Sequence, residues 1–402
     1  MGNKPNKQKK PKLSKKSNLP NFKKHQRITN LKTVSNYILF YEIYNLKNIT
    51  KYFYILICFE IYPKGKNNIS KYELSIYKYF YENNQFKNIK KIELLNEYFN
   101  AAKYFYNPLN NKEYLVFLKF NDSYELYLIE KETEFSLIKQ DKDNAYENKI
   151  NSLAQDEYEI SYTDFFEIIY NKYEKQLYLI SCVVILYDKN HCSKVINVRL
   201  FKDNKFYLIK SISFKIDYRS DISFCINEDK HLGKFYLFHT NKDGIKYFEI
   251  KEKYESNKIE NSVILNQSNL QKLKDFFKVH LNTVNVFTNI FQNGNNSKYL
   301  YLIGISGLII IDLCDKKIIK NIELKIKFLD IFVWNKYLLF IQNKVITIFD
   351  IRTNEIMSKY KINFEEEHLI KIKPNLIKKW FSKENNFYGL FFIKKNLSLL
   401  TC

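Results

Sequence analysis

Two short segments carry the residue types from which catalytic or metal sites are built. Gly304-Ile305-Ser306-Gly307-Leu308 approaches the Gly-x-Ser-x-Gly turn that exposes a nucleophilic serine, but its last position is leucine. Glu365 and His368 have a Glu-x-x-His spacing that would place both on one helix face, yet a metal centre needs further ligands and none is evident. The first segment is better explained as a turn, and the second as a solvated acidic loop.

The other candidate ligands and nucleophiles are scattered along the chain. The six histidines and six cysteines show no metal-ligand spacing, and the eight glycines form no glycine-rich phosphate loop. We therefore expect a non-enzymatic protein without a metal ion or cofactor. Four cysteines lie in apolar runs, where a thiol behaves as a small hydrophobic side chain: Cys58, Cys182, Cys225 and Cys314. This usage predicts a reduced, intracellular protein.

Basic charge is concentrated at the N-terminus. Residues 1–41 contain eleven basic residues and no acidic one. Because residues 1–30 are rich in lysine, asparagine and proline and lack hydrophobic periodicity, they predict a disordered basic tail. Seven lysines of this tail are candidate contacts for nucleic acid or for nuclear import: Lys9, Lys10, Lys12, Lys15, Lys16, Lys23 and Lys24. A purely solubilising tail is the alternative.

Membrane attachment is not expected. The longest apolar runs, Tyr52–Tyr62 and Leu177–Tyr187, have eleven residues each, well short of the ~18 that a membrane-spanning helix needs. Gly2 begins a segment that resembles a myristoylation signal, but Asn6 stands where serine or threonine is expected. The net charge of +22 favours polyanions, which include nucleic acid, acidic proteins and anionic lipid.

From Asn36 onward the pattern is that of many short strands. Runs rich in Ile, Tyr, Phe, Leu and Val alternate with polar clusters, and asparagine pairs such as Asn110-Asn111 mark turns. Many runs, for example 175–185, are apolar at consecutive positions, which predicts strands buried on both faces. Helical periodicity is found at 269–277 and, more weakly, at 143–156.

Two C-terminal segments share a strand–turn–strand pattern. In one, the second strand ends in Phe349-Asp350 and Thr353 follows in the next turn. In the other, the second strand ends in Ile311-Asp312, and the two aspartates are 38 residues apart. A weaker copy upstream ends in Ile129-Glu130.

This pattern resembles the WD-repeat family, whose repeats of ~40–45 residues carry a Trp-Asp pair at the end of a strand. Phe349-Asp350, Ile311-Asp312 and Ile129-Glu130 stand at that place, and Thr353 stands where the family has threonine. The resemblance implies an all-β fold, a β-propeller of four-stranded blades. Strands buried on both faces fit this fold, because each blade lies between two others.

Grouping the strands gives seven blades, with six or eight left open. The propeller domain then spans 31–402 and follows the tail at 1–30. The last group has only three strands, so we expect residues 26–33 to supply the fourth and to close the ring. The groups are 34–95, 99–140, 160–212, 221–267, 273–325, 326–363 and 365–402.

The resemblance implies a rigid scaffold that binds other proteins within a larger complex. Trp380, in a lysine-rich loop, is a candidate partner contact, whereas Trp334 lies at a strand end. The alternative function is an RNA-associated protein, in ribosome assembly or RNA processing, anchored by the basic tail. Either function places the protein in the nucleus or the cytoplasm.

Overall fold

A computed structural model describes the strand-rich part of the chain. The described residues are 26–27, 36–44, 46–47, 51–61, 71–80, 82, 85–94, 99–119, 123–140, 160–186, 191–217, 223–229, 234–241, 243–253, 261–279, 291–293, 297–303, 307–323, 330–334, 337–341, 345–350, 353, 355–361, 379–383, 386–393 and 396–401. The tail up to residue 25, the helix predicted at 143–156, the turn at 304–306 and the acidic loop with Glu365 and His368 lie outside these ranges.

The described residues form 28 strands and one helix, α1 (Gln267–Val279). The strands are β1 (Gln26–Arg27), β2 (Asn36–Tyr44), β3 (Tyr52–Ile61), β4 (Lys71–Phe80), β5 (Gln85–Leu94), β6 (Phe99–Asn107), β7 (Lys112–Lys119), β8 (Tyr124–Lys131), β9 (Glu134–Gln140), β10 (Ile160–Asn171), β11 (Gln176–Leu186), β12 (His191–Lys202), β13 (Lys205–Asp217), β14 (Ser223–Asp229), β15 (Lys234–Asn241), β16 (Gly244–Ile250), β17 (Asn261–Val263), β18 (Phe291–Asn293), β19 (Ser297–Ile303), β20 (Gly307–Asp312), β21 (Lys317–Glu323), β22 (Asp330–Trp334), β23 (Tyr337–Ile341), β24 (Val345–Asp350), β25 (Glu355–Lys361), β26 (Lys379–Lys383), β27 (Asn386–Ile393) and β28 (Asn396–Thr401).

Within the described part of the chain, these strands make seven antiparallel sheets of four strands. Six are meanders of consecutive strands: sheet 1 (β2–β5), sheet 2 (β6–β9), sheet 3 (β10–β13), sheet 4 (β14–β17), sheet 5 (β18–β21) and sheet 6 (β22–β25). Each predicted group of strands corresponds to one observed sheet, although β13 extends beyond residue 212 and the C-terminal group supplies only three of its four strands. The all-β class and the many small antiparallel sheets are therefore confirmed.

Sheet 7 joins the two ends of the chain. It consists of β26, β27 and β28, followed by β1 at its edge. Gln26 pairs with Leu399, and Arg27 pairs with Ser398. The fourth strand that the C-terminal group lacks therefore comes from the predicted segment 26–33, which overlaps the end of the segment assigned to the tail.

Successive sheets pack face to face, and this packing explains the unbroken apolar runs. In β11, Leu177 and Leu179 pack against sheet 2, whereas Tyr178 and Ile180 pack against sheet 4. The prediction that the run 175–185 is buried on both faces is confirmed. Comparable clusters join sheets 1 and 2, 4 and 5, and 5 and 6. Each fully buried aliphatic side chain stabilises the fold by roughly 1.5–3 kcal/mol.

Each sheet has two ends, and the connections between its strands lie at both of them. In a four-stranded meander, the turns after the first and third strands lie at one end, and the other connections lie at the opposite end. The first strands β2, β6 and β10 lie side by side, so sheets 1 to 3 share this orientation. We call the end of sheets 1 to 3 that carries their first and third turns the tight-turn face, and its described residues are 46–47, 51, 82, 108–111, 132–133, 172–175 and 203–204.

The connection between sheets 4 and 5 contains α1. This helix confirms the helical pattern predicted at 269–277. Its apolar side chains Leu273, Phe276 and Phe277 fill the space between sheets 4 and 5. The helix is short and carries exposed lysines, and no helix in the described ranges could span a membrane.

Two local predictions are wrong. Trp380 lies inside β26 and pairs with Gly389, not in a loop, because the flanking lysines stand at the ends of a strand. Cys314 is exposed in the turn after β20, whereas Cys58 and Cys182 are buried as predicted. The apolar run that precedes Cys314 ends at Asp312, so the thiol falls outside the strand. Trp334, as predicted, ends β22.

Candidate functional site

The aspartates of the predicted repeat motif shape turns. Asp312 ends β20, and its Oδ1 accepts hydrogen bonds from the backbone N–H groups of Cys314 (2.8 Å) and Asp315 (3.1 Å). Asp350 ends β24, and its Oδ1 accepts a hydrogen bond from the N–H of Thr353 at 3.4 Å. A side-chain oxygen that binds backbone two or three residues later fixes a turn. These aspartates therefore determine how the third strand turns into the fourth.

The apolar residue before each motif acid packs against the preceding sheet. Ile311, Phe349 and Ile129 are all buried in clusters between their own sheet and the one before it. Glu130 differs from the two aspartates, because it is exposed within β8 and accepts a hydrogen bond from Ser136 Oγ at 2.5 Å. The upstream copy of the motif thus shares the apolar contact but not the turn.

The same turn recurs between first and second strands, where no motif was predicted. Buried Asn107 ends β6, and its Oδ1 accepts a hydrogen bond from the N–H of Leu109 at 3.0 Å. Buried Asn171 ends β10, and its Oδ1 accepts hydrogen bonds from the N–H groups of Tyr173 (3.0 Å) and Glu174 (3.2 Å). The tips of both turns are therefore fixed in space by a buried amide.

These turns have four residues, and the last one adopts a positive φ. The three described cases are Asn111 (56°), Lys175 (53°) and Lys316 (54°). Asparagine tolerates this backbone, so the turn predicted at Asn110-Asn111 is confirmed, whereas lysine there was not foreseen. The overlooked signal is an Asn or Asp at a strand end with Asn or Lys four residues later.

A second overlooked repeat is a tyrosine at the third position of the second strand. It occurs in five consecutive sheets as Tyr54, Tyr114, Tyr178, Tyr236 and Tyr299. Each packs in the cluster between its own sheet and the next one. The spacings between these tyrosines are 60, 64, 58 and 63 residues. A search for repeats of ~40–45 residues, the length of a WD repeat, therefore does not detect them.

Tyr114 shows how this tyrosine joins neighbouring sheets. Its hydroxyl donates a hydrogen bond to Asn204 Oδ1 at 3.0 Å, in the turn between β12 and β13 of sheet 3. The same hydroxyl accepts a hydrogen bond from Asn110 Nδ2 at 2.8 Å. Burial raises the pKa of Tyr114, so the phenol stays protonated and can donate. A first turn of sheet 2 is thereby joined to a third turn of sheet 3.

Glu132 makes the corresponding junction between sheets 1 and 2. Its carboxylate accepts hydrogen bonds from Lys78 Nζ at 2.8 Å and from the hydroxyl of Tyr52, and its carbonyl accepts one from the Tyr44 hydroxyl at 3.3 Å. Lys78 Nζ also lies 3.5 Å from the centroid of the Tyr52 ring. Burial raises the pKa of Glu132, but the hydrogen bonds from Lys78 and Tyr52 outweigh it and lower the pKa to about 2.

Lys47 connects the first turn of sheet 1 to sheet 2. Its N–H donates to Glu113 Oε1 at 2.6 Å, and its Nζ donates to the Tyr106 hydroxyl at 2.6 Å. Glu113 Oε1 also accepts a hydrogen bond from the Tyr104 hydroxyl at 3.0 Å. Burial, followed by the charge of Glu113, raises the pKa of Tyr104. The carboxylate of Glu113 is thus directed inward, into the contact between sheets.

The first strands are joined by charged side chains as well. Glu42 on β2 accepts a hydrogen bond from the N–H of Tyr104 on β6 at 3.2 Å. Lys103 on β6 forms an ion pair of 2.8 Å with Glu167 on β10. A first strand is a sheet edge, and side chains that bind its backbone or block it prevent pairing with another chain.

Several side chains in or beside the tight-turn face therefore form hydrogen bonds between neighbouring sheets, among them Glu132, Glu113 and Tyr114. No group of three or more His, Cys, Asp or Glu side chains within the described ranges is arranged to hold a metal ion. Buried His239 packs against the ring of Phe214, with 4.8 Å between centroids.

Two sets of predicted site residues are not among the described residues of the tight-turn face. The seven tail lysines, Lys9, Lys10, Lys12, Lys15, Lys16, Lys23 and Lys24, lie outside the described residues. Trp380 belongs to sheet 7, at the first strand β26. Both remain predictions.

The sequence matches no protein-family model and no curated protein. Among solved structures, the chain is similar to Sqt1 of Saccharomyces cerevisiae, with 10% identity over 94% of this chain and 97% of that one and a TM-score of 0.47. It is similar to BBS1N in complex with ARL6DN, with 8% identity over 96% of both chains and a TM-score of 0.48. A third similar structure is the polysaccharide lyase Uly1, with 12% identity over 90% and 89% of the two chains and a TM-score of 0.45.

Proposed function

We propose that the chain is a seven-bladed, WD-repeat-like β-propeller that acts as a non-enzymatic protein-binding scaffold within a larger complex. The observation that carries the proposal is the tight-turn face, whose turns are held by side chains that cross from sheet to sheet. Tyr114 and Asn204 make one such crossing at 3.0 Å, and Lys78 and Glu132 make another at 2.8 Å. A surface fixed in this way loses little conformational entropy when a partner binds.

The ring supports the same proposal. Because β1 completes sheet 7, the first and last strands of the chain belong to one sheet, as closure of a propeller requires. Each repeat then contributes turns to the same two ends of the disc. Such a scaffold holds several partners at fixed relative positions, in the nucleus or the cytoplasm.

The proposal is tested by co-purification of partners from the native cell. The matched pair is the full-length protein and a truncation that lacks residues 1–25, because this truncation removes the basic tail and retains β1. We expect stoichiometric protein partners with both forms, before and after nuclease treatment. Loss of every partner from the truncated form would contradict the scaffold function.

The alternative function is an RNA-associated protein anchored by its tail, and the observation that favours it is the charge of that segment. Residues 1–25 contain nine lysines and no acidic residue. If all nine neutralise phosphates of single-stranded RNA, the logarithm of the binding constant falls against the logarithm of salt with a slope of about −6. Binding of labelled poly(U) by the full-length protein tests this slope.

The control for RNA binding is a full-length variant in which the seven clustered lysines at positions 9, 10, 12, 15, 16, 23 and 24 are replaced by glutamine. We expect most of the poly(U) affinity and most of the salt dependence to be lost in this variant. Binding that is independent of salt, or unchanged in the variant, would exclude the tail as an RNA anchor.

A further inference from the structure

The tips of two neighbouring turns on the tight-turn face expose apolar side chains. Leu109 is 55% exposed in the turn 108–111 of sheet 2, and Tyr173 is 62% exposed in the turn 172–175 of sheet 3. Both occupy the second position of a turn that a buried asparagine holds in place. Two large apolar side chains that are held exposed on neighbouring turns point to a role in binding.

The two tips follow equivalent positions of the adjacent strands β6 and β10. Lys103 and Glu167 form an ion pair of 2.8 Å between β6 and β10. Leu109 follows Lys103 by six residues, and Tyr173 follows Glu167 by six residues. Because the ion pair sets the two first strands side by side in this register, the turns that follow them project together from one end of the sheets.

Three exposed lysines lie in or beside these two turns. Lys112, Lys172 and Lys175 are exposed, and none of the three forms an ion pair with any residue that the structure describes. Of the neighbouring carboxylates, Glu113 accepts hydrogen bonds from the Lys47 N–H and the Tyr104 hydroxyl. Glu174 is exposed and accepts one from the Tyr178 hydroxyl at 2.6 Å, so the three lysines leave a net positive charge around the tips. A surface with apolar tips and uncompensated positive charge complements a negatively charged ligand that also carries an apolar group.

We propose that this patch, composed of Leu109, Tyr173, Lys112, Lys172 and Lys175, is the docking site for an acidic segment of a partner protein that inserts a large apolar side chain between the two tips. The inference rests on the proposed scaffold function and names its face and its ligand class. Tyr173 presents one exposed ring and Leu109 beside it presents none, so the patch fits an apolar side chain of a protein segment better than the successive stacked bases of RNA. The chain's own tail is basic and is repelled.

The test is a selection of random peptides by mRNA display on the immobilised full-length protein. We expect enriched peptides with net negative charge and at least one large apolar residue. Their affinity should fall at least about tenfold in the double variant Leu109→Ser/Tyr173→Ser, because an apolar anchor dominates such contacts. In the triple variant Lys112→Gln/Lys172→Gln/Lys175→Gln it should fall by about tenfold at low salt and less at high salt.

Matched control variants carry the same changes elsewhere. Leu208→Ser/Ile356→Ser removes exposed apolar groups from the outer strands β13 and β25, where the side chains are 41% and 47% exposed. Lys272→Gln/Lys274→Gln/Lys278→Gln removes three exposed lysines from α1. We expect both controls to bind the selected peptides like the wild type, and unfolding midpoints establish that every variant is folded.

Three results would overturn the assignment. They are enrichment of neutral or basic peptides, absence of any enrichment, and equal binding of acidic peptides by the wild type and the Leu109→Ser/Tyr173→Ser variant. Labelled poly(U) provides a fourth, because RNA binding that is lost with the same two side chains would assign the patch to nucleic acid. If co-purified partners persist in the double variant, the scaffold function stands and this docking site is wrong.

Discussion

Replacing Glu132 by glutamine should destabilise the protein, because the ionised carboxylate holds sheet 2 against Lys78 and Tyr52 of sheet 1. A pKa lowered from its ordinary 4.5 to about 2 corresponds to an upper limit of roughly 3 kcal/mol. The Glu132 side chain is 42% exposed, so screening by solvent reduces this considerably. We expect the Glu132→Gln variant to lose about 1 kcal/mol in the free energy of unfolding at pH 7, measured by urea denaturation.

The dependence of this difference on pH follows from the direction of the shift. The pKa of Glu132 is lower in the folded than in the unfolded protein, so its contribution is fully present above the unfolded value near 4.5. It declines as the pH falls from about 5 towards the folded value of about 2. The difference between the wild type and Glu132→Gln should therefore be constant from pH 8 to about pH 6 and less than half as large at about pH 3.

Glu134→Gln is the matched control for this experiment. Glu134 pairs with Lys131 at 3.0 Å, but the two side chains are 52% and 75% exposed, and such pairs contribute ~0–0.5 kcal/mol. The free energy of unfolding of the Glu134→Gln control should therefore match that of the wild type at every pH. A Glu132→Gln variant with wild-type stability at pH 7, or with a loss that does not change between pH 7 and pH 3, would refute the role assigned to this carboxylate.

Three further predictions use the same denaturation measurement. Asp312→Ala and Asp350→Ala should each lower the free energy of unfolding by about 1 kcal/mol, because each removes a buried carboxylate that accepts turn hydrogen bonds; an unchanged midpoint in either variant would contradict this role. Tyr114→Phe should cost about 1 kcal/mol through loss of its two hydroxyl hydrogen bonds, and an unchanged midpoint would show that they contribute nothing. Deletion of residues 1–27 should cost about 1–2 kcal/mol relative to deletion of 1–25, since only the former removes β1.

The strands and their grouping were predictable because their signals are local. The apolar run at 175–185 has no polar alternation, and a strand without a wet face must lie between two layers, which is where β11 is found. The closing strand followed from counting, since a group with three strands leaves an open edge that β1 covers. Trp380 was placed wrongly because lysines at the two ends of a short strand have the same composition as a lysine-rich loop.

The site was less predictable because its contacts are distant in sequence. Glu132 meets Lys78 across 54 residues, and Tyr114 meets Asn204 across 90. No local pattern specifies either pair, although Asp312 and Asp350 were recognised because a turn is formed within four residues. Both aspartates were predicted as structural residues of the repeat, and both accept hydrogen bonds that shape turns.

The repeated tyrosines and the asparagines at strand ends stabilise different parts of the sheets. The repeated tyrosines face the next sheet; the Tyr114 hydroxyl bonds to Asn204 of that sheet, whereas the Tyr178 hydroxyl bonds to Glu174 and Gln176 of its own sheet. Asn107 and Asn171 hold the turn tips against their own strands. The carboxylates of Glu113 and Glu132 accept hydrogen bonds across the contact between sheets 1 and 2. At the proposed docking patch, exposed Lys112, Lys172 and Lys175 outnumber exposed Glu174, and this excess of positive charge favours acidic partners at these turns.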